Sequence, residues 1–355
     1  MGVTGTFTIS LNFELFWGVH DRLSASAYAG NILGARDAIP RMLDLFDRYG
    51  VHCTWATVGL LFFDRKADLI DHLPELRPHY ADPTLSPYPA IGQLGPNERQ
   101  DPYHFGLSLI ERIRDCPGQE IGTHTFSHYF CLEPGLTEQG QTADTFRADL
   151  MAARRAAERL GITPKSLVFP RNQFRPDYLG ACSDAGIEVV RGNPPSRIYQ
   201  GQSRAEGGMI KRLCRQSDDY LPISPEECTV PKRLDGGLID VRASRFLRPA
   251  SRRLRPLEPL RLHRINSGLA RAAKDGTTYH LWWHPHNVGV DTDHHLRFLE
   301  HILKHFRRLS ETYGMCSRSM LEVAQHSAAR RQLARFVRSA RPIDERAVGA
   351  QRLAG

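Results

Sequence analysis

Short strand-like segments alternate with amphipathic helical segments along most of this 355-residue chain, and this alternation constrains the fold more than any other feature. The first unit is TFTISLNFEL (6–15) followed by ARDAIPRMLDLFDRYG (35–50), whose apolar residues recur at helical spacing before a glycine stop. Further strands are predicted within 51–59, 118–128, 166–173, 187–192 and 277–286, and further helices within 142–161, 175–186 and 291–314. Repeated β-then-α units predict an α/β fold with a parallel sheet, and the length suits a barrel with insertions.

Three segments depart from this alternation. Residues 64–104 are rich in Pro, His and Tyr and are predicted to form an inserted loop or cap. Residues 242–264 contain eight arginines and one acidic residue, which indicates either a solvated basic face or a contact for phosphate or an acidic glycan. Residues 326–355 are rich in Arg and Ala, and we expect a basic tail, helical at first and then partly disordered.

The overall charge and the cysteines restrict the partner and the compartment. A net charge of +8 suits an acidic partner or substrate. The chain carries no recognisable nucleic-acid-binding motif, so we expect no nucleic acid. We also expect no transmembrane segment, because no apolar run approaches about 18 residues. Seven scattered cysteines without a C-x-x-C pair favour a reducing compartment, and no leader-like start is seen, so the sequence predicts a cytoplasmic protein.

Three H-x-x-x-H pairs occur at 124/128, 280/284 and 301/305, whereas chance predicts about 0.7 among 16 histidines, so the spacing alone is weak evidence. The last pair lies in a polar helix and is predicted to be at the surface. The middle pair lies on a strand, where this spacing separates residues by about 13 Å, too far to share an ion. His124 and His128 follow a short strand, and on a helical turn both would face one metal ion.

The segment SLNFELFWG (10–18) offers a third ligand. Glu14 comes at the end of the first strand, and a site with two histidines usually needs one further protein ligand, commonly a carboxylate. Asn12 comes two residues before Glu14, so its side chain lies on the same face of the strand. It is an amide at a place where hydrolytic chemistry would use a carboxylate as a base.

Two other strand ends carry polar side chains. Arg171 is able to hold a carboxylate or a substrate oxygen, or to form a salt bridge at the rim. His284 and His286 follow Trp282 and Trp283. Tryptophan faces suit sugar rings and a histidine there suits a general acid, but core tryptophans with two capping histidines would produce the same pattern.

In this order, the motifs resemble the NodB-type polysaccharide deacetylases, carbohydrate esterase family 4. They are Asn12-x-Glu14, which is similar to the branch with an Asp-x-Glu first motif, then HTFSH (124–128), Pro170-Arg171 and His284. The resemblance implies a distorted (β/α)7 barrel over residues 1–325. It also implies hydrolysis of the acetamide of an N-acetylated sugar or glycoconjugate.

The resemblance further implies a divalent metal, most often Zn2+, bound by Glu14, His124 and His128. A metal-bound water would attack the acetyl carbonyl. His284 would protonate the departing amine, and Arg171 would orient the base. The substrate pocket would be shaped by Trp17, Trp282, Trp283 and His286. The basic charge would suit a phosphate-bearing sugar.

Asn12 stands where this family has its base, an aspartate, and three accounts are open. The asparagine is a substitution made to silence turnover, or a natural variant in which another group is the base, with His20, Asp21 or His286 the first to test. In the third account the chain is a carbohydrate-binding pseudoenzyme. A further alternative keeps the barrel but changes the bond, to a non-sugar amide as in allantoinase-like proteins.

Overall fold

The computed structural model describes residues 4–136, 141–194, 196–200, 203, 209–221, 223–224 and 228–339. Its centre is a ten-stranded sheet in the order β6-β7-β5-β4-β3-β2-β1-β9-β8, with β10 also beside β1. The pair β6–β7 is antiparallel and the other described pairs are parallel. The strands are β1 (Thr6–Phe13), β2 (Cys53–Thr57), β3 (Gln119–Thr123), β4 (Ser166–Val168), β5 (Val189–Arg191), β6 (Lys232–Arg233), β7 (Ile239–Asp240), β8 (Arg245–Phe246), β9 (Thr278–Trp283) and β10 (Cys316–Ser317).

One short segment, residues 239–247, joins the two ends of the curled sheet. Its first half pairs with β5, where the N–H of Val241 donates to the carbonyl of Val190. Its second half pairs with β9, where the N–H of Ser244 donates to the carbonyl of His280. Seven strand positions therefore surround the interior: β1 to β5, this bridging segment, and β9. The predicted α/β fold with a distorted barrel is confirmed.

Helices cover the outside of the sheet. They are α1 (Ala25–Tyr49), α2 (Lys66–Asp71), α3 (Tyr88–Ile91), α4 (Leu107–Arg114), α5 (Ala143–Glu158), α6 (Leu179–Asp184), α7 (Met209–Asp218), α8 (Glu258–Asp275), α9 (Thr292–Tyr313) and α10 (Met320–Ser339). The glycine stop predicted for α1 is confirmed, because Gly50 has a φ of 61°. That helix begins ten residues before the predicted start, and α8 was not predicted.

Strand β1 divides its side chains between the outer layer and the barrel interior. Phe7, Ile9, Leu11 and Phe13 have no exposed surface and pack in the main hydrophobic core. The period of two along a strand sends the intervening residues, including Ser10 and Asn12, to the opposite face. The polar face of β1 is therefore enclosed by the barrel, where its side chains can meet those of other strands.

The Arg-rich segment, residues 242–264, is partly buried in the protein. Three of its arginines are buried and each has a carboxylate partner: Arg245 and Arg264 with Asp218, and Arg261 with Glu258. Neither expectation from the sequence, a solvated basic face or a phosphate contact, describes these three side chains. Glu258 lies one turn before Arg261 in α8, whereas Asp218 ends α7 and meets Arg245 and Arg264 only in the folded chain.

The inserted segment 64–104 contains α2 and α3 and packs beside the end of β1. The indole Nε1 of Trp17 donates to the carbonyl of His104 at 2.9 Å. The imidazole of His20 lies 3.2 Å from the carbonyl of Leu85. The insertion thus supports the loop that carries Glu14.

Helix α10 extends into the predicted tail as far as Ser339, and residues 340–355 lie outside the described part of the chain. Among the described helices, none combines the length and the apolarity needed to cross a membrane.

Candidate metal centre

Glu14 follows β1 directly, at a sharp turn of the chain. Leu15 has a φ of 43°, in the left-handed region, and opens a short 3-10 turn, Leu15–Gly18. The carboxylate is turned into the end of the barrel, and Glu14 is 3% exposed. A buried carboxylate of this kind requires a positive or hydrogen-bonding partner.

His124 and His128 lie in the loop that follows β3. The sequence predicted a helical turn here, but Thr125 and His128 have φ values of 65° and 57°, which end any helical geometry. The loop brings the two imidazoles to a ring separation of 5.2 Å. His124 and His128 are therefore neighbours as predicted, but a loop and not a helical turn places them.

Asp149 of α5 fixes this loop from behind. Its carboxylate accepts hydrogen bonds from the N–H groups of Phe126 at 2.6 Å and Ser127 at 3.3 Å, and from the hydroxyl of Ser127. Burial raises the pKa of Asp149 to about 6. Sequence reasoning did not identify this residue, although an acid on the apolar face of a predicted helix, beside Phe146 and Leu150, was a usable signal.

Three lone-pair atoms converge at this end of the barrel. Oε2 of Glu14 lies 3.2 Å from Nε2 of His124 and 3.2 Å from Nε2 of His128. Nδ1 of His124 donates to the carbonyl of Val168 at 2.7 Å, which leaves Nε2 unprotonated in the neutral ring. Ligand atoms of a tetrahedral zinc ion lie about 3.3–3.4 Å apart. The three side chains therefore fit a divalent cation, and Oε2 of Glu14 has no hydrogen-bond partner.

Burial controls the charge states in this cluster. It lowers the pKa of His128 to about 4 and that of His284 to about 3, so both are neutral near pH 7. Burial acts to raise the pKa of Glu14, but the surrounding imidazoles of His284, His124 and His128 outweigh that effect and hold the pKa well below its usual range. A charged carboxylate beside neutral imidazoles is the state that binds a metal ion.

Asn12 lies between this cluster and His284. Its Nδ2 is 3.3 Å from Nε2 of His124 and 3.5 Å from Nε2 of His284. Its Oδ1 is buried and has no hydrogen-bond partner. The amide is thus placed to contact a molecule held between the cluster and His284.

His284 and His286 approach the other oxygen of Glu14. Nε2 of His284 lies 3.4 Å from Oε1 of Glu14, and Nε2 of His286 lies 3.9 Å from the same oxygen. The two rings are stacked, with centroids 5.1 Å apart and planes inclined by 19°. The structure therefore brings four imidazoles around one carboxylate.

For Arg171 the sequence left open a contact with a carboxylate or substrate oxygen and a salt bridge at the rim, and the structure pairs it with a carboxylate. Its guanidinium donates to Oδ1 of Asp21 at 2.5 Å and to the carbonyl of Gly18 at 3.4 Å. Arg171 therefore braces the loop after β1, where Glu14 is held. Its role in orienting the group at position 12, which the resemblance implies, stays a prediction.

Arg191, at the end of β5, occupies the barrel interior and was missed by sequence reasoning. Its guanidinium donates to the hydroxyl of Ser10 at 2.8 Å and to Oδ1 of Asn172 at 3.0 Å. It also lies 4.3 Å from the ring centre of Trp282. Burial lowers its pKa to about 9. An arginine at the end of the otherwise apolar strand VVR was a signal for this position.

The three tryptophans expected at the substrate pocket differ in exposure. Trp283 has no exposed surface and packs in the core, with its ring centre 6.4 Å from that of Phe46. Trp17 is 1% exposed and is bonded to His104. Neither offers a free face in this structure, which corrects the sequence expectation for both. Trp282 is partly exposed.

The three side chains considered as replacements for the missing base are placed differently. The ring nitrogens of His20 lie 2.6 Å and 3.2 Å from the carbonyls of Trp17 and Leu85. Asp21 is paired with Arg171. His286 faces the cluster, and it is the one of the three that reaches Glu14.

Left-handed residues other than glycine are concentrated around this site. Those at the ends of β1, β3 and β4 are Leu15, Thr125, His128, Arg171 and Asn172. Such conformations cost free energy and persist where the surroundings impose them, which is common at functional sites.

Comparisons with solved structures support the fold. A polysaccharide deacetylase from Mycobacterium smegmatis is similar over 93% of this chain and 92% of its own, with 14% identity and a TM-score of 0.58. Puue allantoinase is similar over 91% of this chain and 90% of its own, with 11% identity and a TM-score of 0.52. A polysaccharide deacetylase from Pseudomonas aeruginosa PAO1 is similar over 90% of this chain and 90% of its own, with 11% identity and a TM-score of 0.50. No protein-family model and no curated protein matches the chain.

Proposed function

We propose that this protein is a metal-dependent hydrolase that removes the acetyl group from an N-acetylated sugar or glycoconjugate. The observation that carries the proposal is the convergence of Glu14, His124 and His128 on one point, with Asn12 and His284 facing it. The barrel shared with deacetylase structures is consistent with this activity.

The three converging side chains would hold a divalent cation, for which we propose Zn2+. When bound, such an ion polarises a carbonyl and increases the acidity of a coordinated water. Glu14 supplies the negative charge of the set, while the two imidazoles leave room for a water or substrate in the remaining position. Val168 holds His124 in the required tautomer through Nδ1.

Asn12 would orient the attacking water but would not take its proton. An amide oxygen accepts a hydrogen bond, and Oδ1 of Asn12 is buried without a partner. The side chain has no useful basicity near pH 7, and loss of a general base typically costs about 10²–10⁴ in rate. We therefore expect slow turnover from this sequence.

His284 would transfer the proton to the departing amine. Its Nε2 faces both Glu14 and Asn12, within 3.4 Å and 3.5 Å. Because Asn12 is an amide, another group must take the proton of the water. Apart from the proposed ligand His124, His284 is the imidazole nearest to Asn12. His284 would then accept the proton from the water and deliver it to the nitrogen of the departing amine.

Trp282 is the tryptophan that we assign to the sugar. It is partly exposed, and its ring centre lies 5.6 Å from that of His284. Arg191 lies against its ring and fixes its position. The net charge of +8 suits a phosphate-bearing sugar, which we include as a substrate class.

The test compares zinc content and acetate release in the natural chain and in Asn12→Asp. The substrates are a free N-acetylated amino sugar, a nucleotide-linked one, a short glycoside and a cyclic imide. We expect one ion at low zinc concentration and a 10²–10⁴-fold gain in acetate release on Asn12→Asp, of the order that general-base catalysis contributes. Zinc-independent turnover would refute the proposal, and hydrolysis of the imide alone would change its substrate class.

A second candidate, carbohydrate binding without turnover, is favoured specifically by Asn12. A buried amide beside the cluster keeps hydrogen bonding and removes basicity. Bound zinc and bound sugar, with no acetate release from either the natural chain or Asn12→Asp, would establish this alternative.

A further inference from the structure

The carboxylate of Glu14 divides four imidazoles into two pairs. Oε2 faces His124 and His128, which form the proposed metal site, and Oε1 faces His284 and His286. We infer that Oε1 of Glu14 and Nε2 of His284 and His286 form a second divalent-cation site, so that Glu14 bridges two ions. These three ligand atoms lie within 4.8 Å of one another.

The distances suit a cation with one small adjustment. The 3.4 Å between Oε1 of Glu14 and Nε2 of His284 matches the edge of a zinc tetrahedron, about 3.3–3.4 Å. The 3.9 Å to His286 requires that ring to move inward by about half an ångström to reach the same edge. A bridging carboxylate is compatible with ions about 3.5–4 Å apart, as in known two-metal sites.

Neighbouring groups hold both rings in this orientation. Nδ2 of Asn287 lies 3.2 Å from Nδ1 of His284, a contact that fixes the orientation of this ring while its Nε2 faces Glu14. Tyr28 packs edge-on against the ring of His286, and Asn31 donates to the carbonyl of that residue at 3.0 Å. These contacts are the kind that support metal-ligating histidines.

The second site has a consequence that rests on the proposed function. A His284 whose Nε2 binds an ion has no lone pair with which to move a proton. Occupation of the second site would therefore inhibit the hydrolase. The one-ion form is active and the two-ion form is inhibited, so activity first rises and then falls as zinc is added.

Equilibrium dialysis of the full chain against Zn2+, followed by elemental analysis, tests the site directly. We expect two ions per chain at high zinc and one in His286→Ala, while a control with an exposed histidine replaced, His301→Ala, retains two. His128→Ala is expected to lose the first ion. A single ion in the natural chain that is lost in His128→Ala and kept in His286→Ala overturns the second site and leaves the proposed function intact. No ion in the natural chain overturns both.

A spectroscopic measurement on the natural chain covers the case in which His286→Ala does not fold. Two Mn2+ ions bridged by one carboxylate are close enough to couple, so their paramagnetic resonance spectrum differs from that of isolated ions. A coupled spectrum at high Mn2+ supports the bridge. A spectrum of isolated ions at every concentration overturns it.

Discussion

Gly18 leaves the space that the carboxylate of Glu14 occupies. A Cβ atom at Gly18 would lie 2.0 Å from Oε1 of Glu14 and 2.1 Å from its carboxyl carbon. Because these atoms end a side chain, Gly18→Ala would displace the carboxylate before it disturbs the backbone. We expect the zinc affinity of Gly18→Ala to fall at least about 10-fold, the effect of disturbing a metal site through its supporting groups.

Zinc titration of Gly18→Ala and of Gly180→Ala checks this prediction. Gly180 lies in α6, where an added Cβ meets nothing within 4 Å, so this control should bind zinc as the natural chain does. Equal zinc affinities for the two variants would show that Glu14 is not a ligand.

Much of the site was predictable because its residues lie at strand ends in a recognisable order. Glu14, His124 and His128 are brought together as the sequence indicated. The loop geometry of the histidines was not predictable, because two left-handed residues, Thr125 and His128, replace the expected helical turn. The partner of Arg171 was not predictable either, because Asp21 lies 150 residues earlier in the chain.

The sequence carried only weak or misleading signals for the bridging strand and for the buried arginines. The bridging strand 239–247 is split into two short pieces that pair with different strands, so it has no clear periodicity. The arginines of 242–264 looked solvent-facing, because partners such as Asp218 become neighbours only in the folded protein. Arg191 was hidden for the same reason, since its contact with Ser10 spans 181 residues.

Asp149 is expected to be essential to the histidine loop. Asp149→Asn replaces an acceptor-only carboxylate with a group that has one acceptor atom, and it leaves a donor facing buried N–H or O–H groups. We expect the free energy of unfolding to fall by about 1–3 kcal/mol and zinc affinity to fall about 10- to 100-fold. Urea unfolding and zinc titration measure both, with Glu158→Gln on the exposed face of α5 as the control.

Arg191 is expected to stabilise the barrel interior through its planar guanidinium. Arg191→Lys keeps the charge but cannot bond Ser10 and Asn172 in the same geometry while stacking on Trp282. We expect a loss of about 1–3 kcal/mol in the free energy of unfolding and weaker sugar binding through Trp282. The exposed Arg155→Lys is the matched control. A loss no larger than that of the control would contradict the assigned role.

His280 is expected to make stability depend on pH. Its Nε2 accepts from the hydroxyl of Ser10 at 2.8 Å and its Nδ1 donates to the carbonyl of Val241 at 3.0 Å, so the buried ring is neutral. Burial, and then the charge of Arg191, lowers its pKa to about 3. The unfolded chain, with a pKa near 6.5, binds more protons between about pH 3 and 6.5, so stability falls as the pH falls through this range.

Comparing the natural chain with a His280 variant separates the contribution of His280 from that of the other buried histidines. Between pH 7 and pH 5, His280 is expected to lower the free energy of unfolding by about 2 kcal/mol, at about 1.4 kcal/mol per pH unit below 6.5. His280→Gln is less stable at pH 7 because it loses ring contacts, but its free energy of unfolding should change by about 2 kcal/mol less over this range. Urea unfolding at both pH values measures the difference, and the exposed His301→Gln should keep the full pH dependence. Parallel curves for the natural chain and His280→Gln would mean that His280 is protonated in the folded protein or is not buried there.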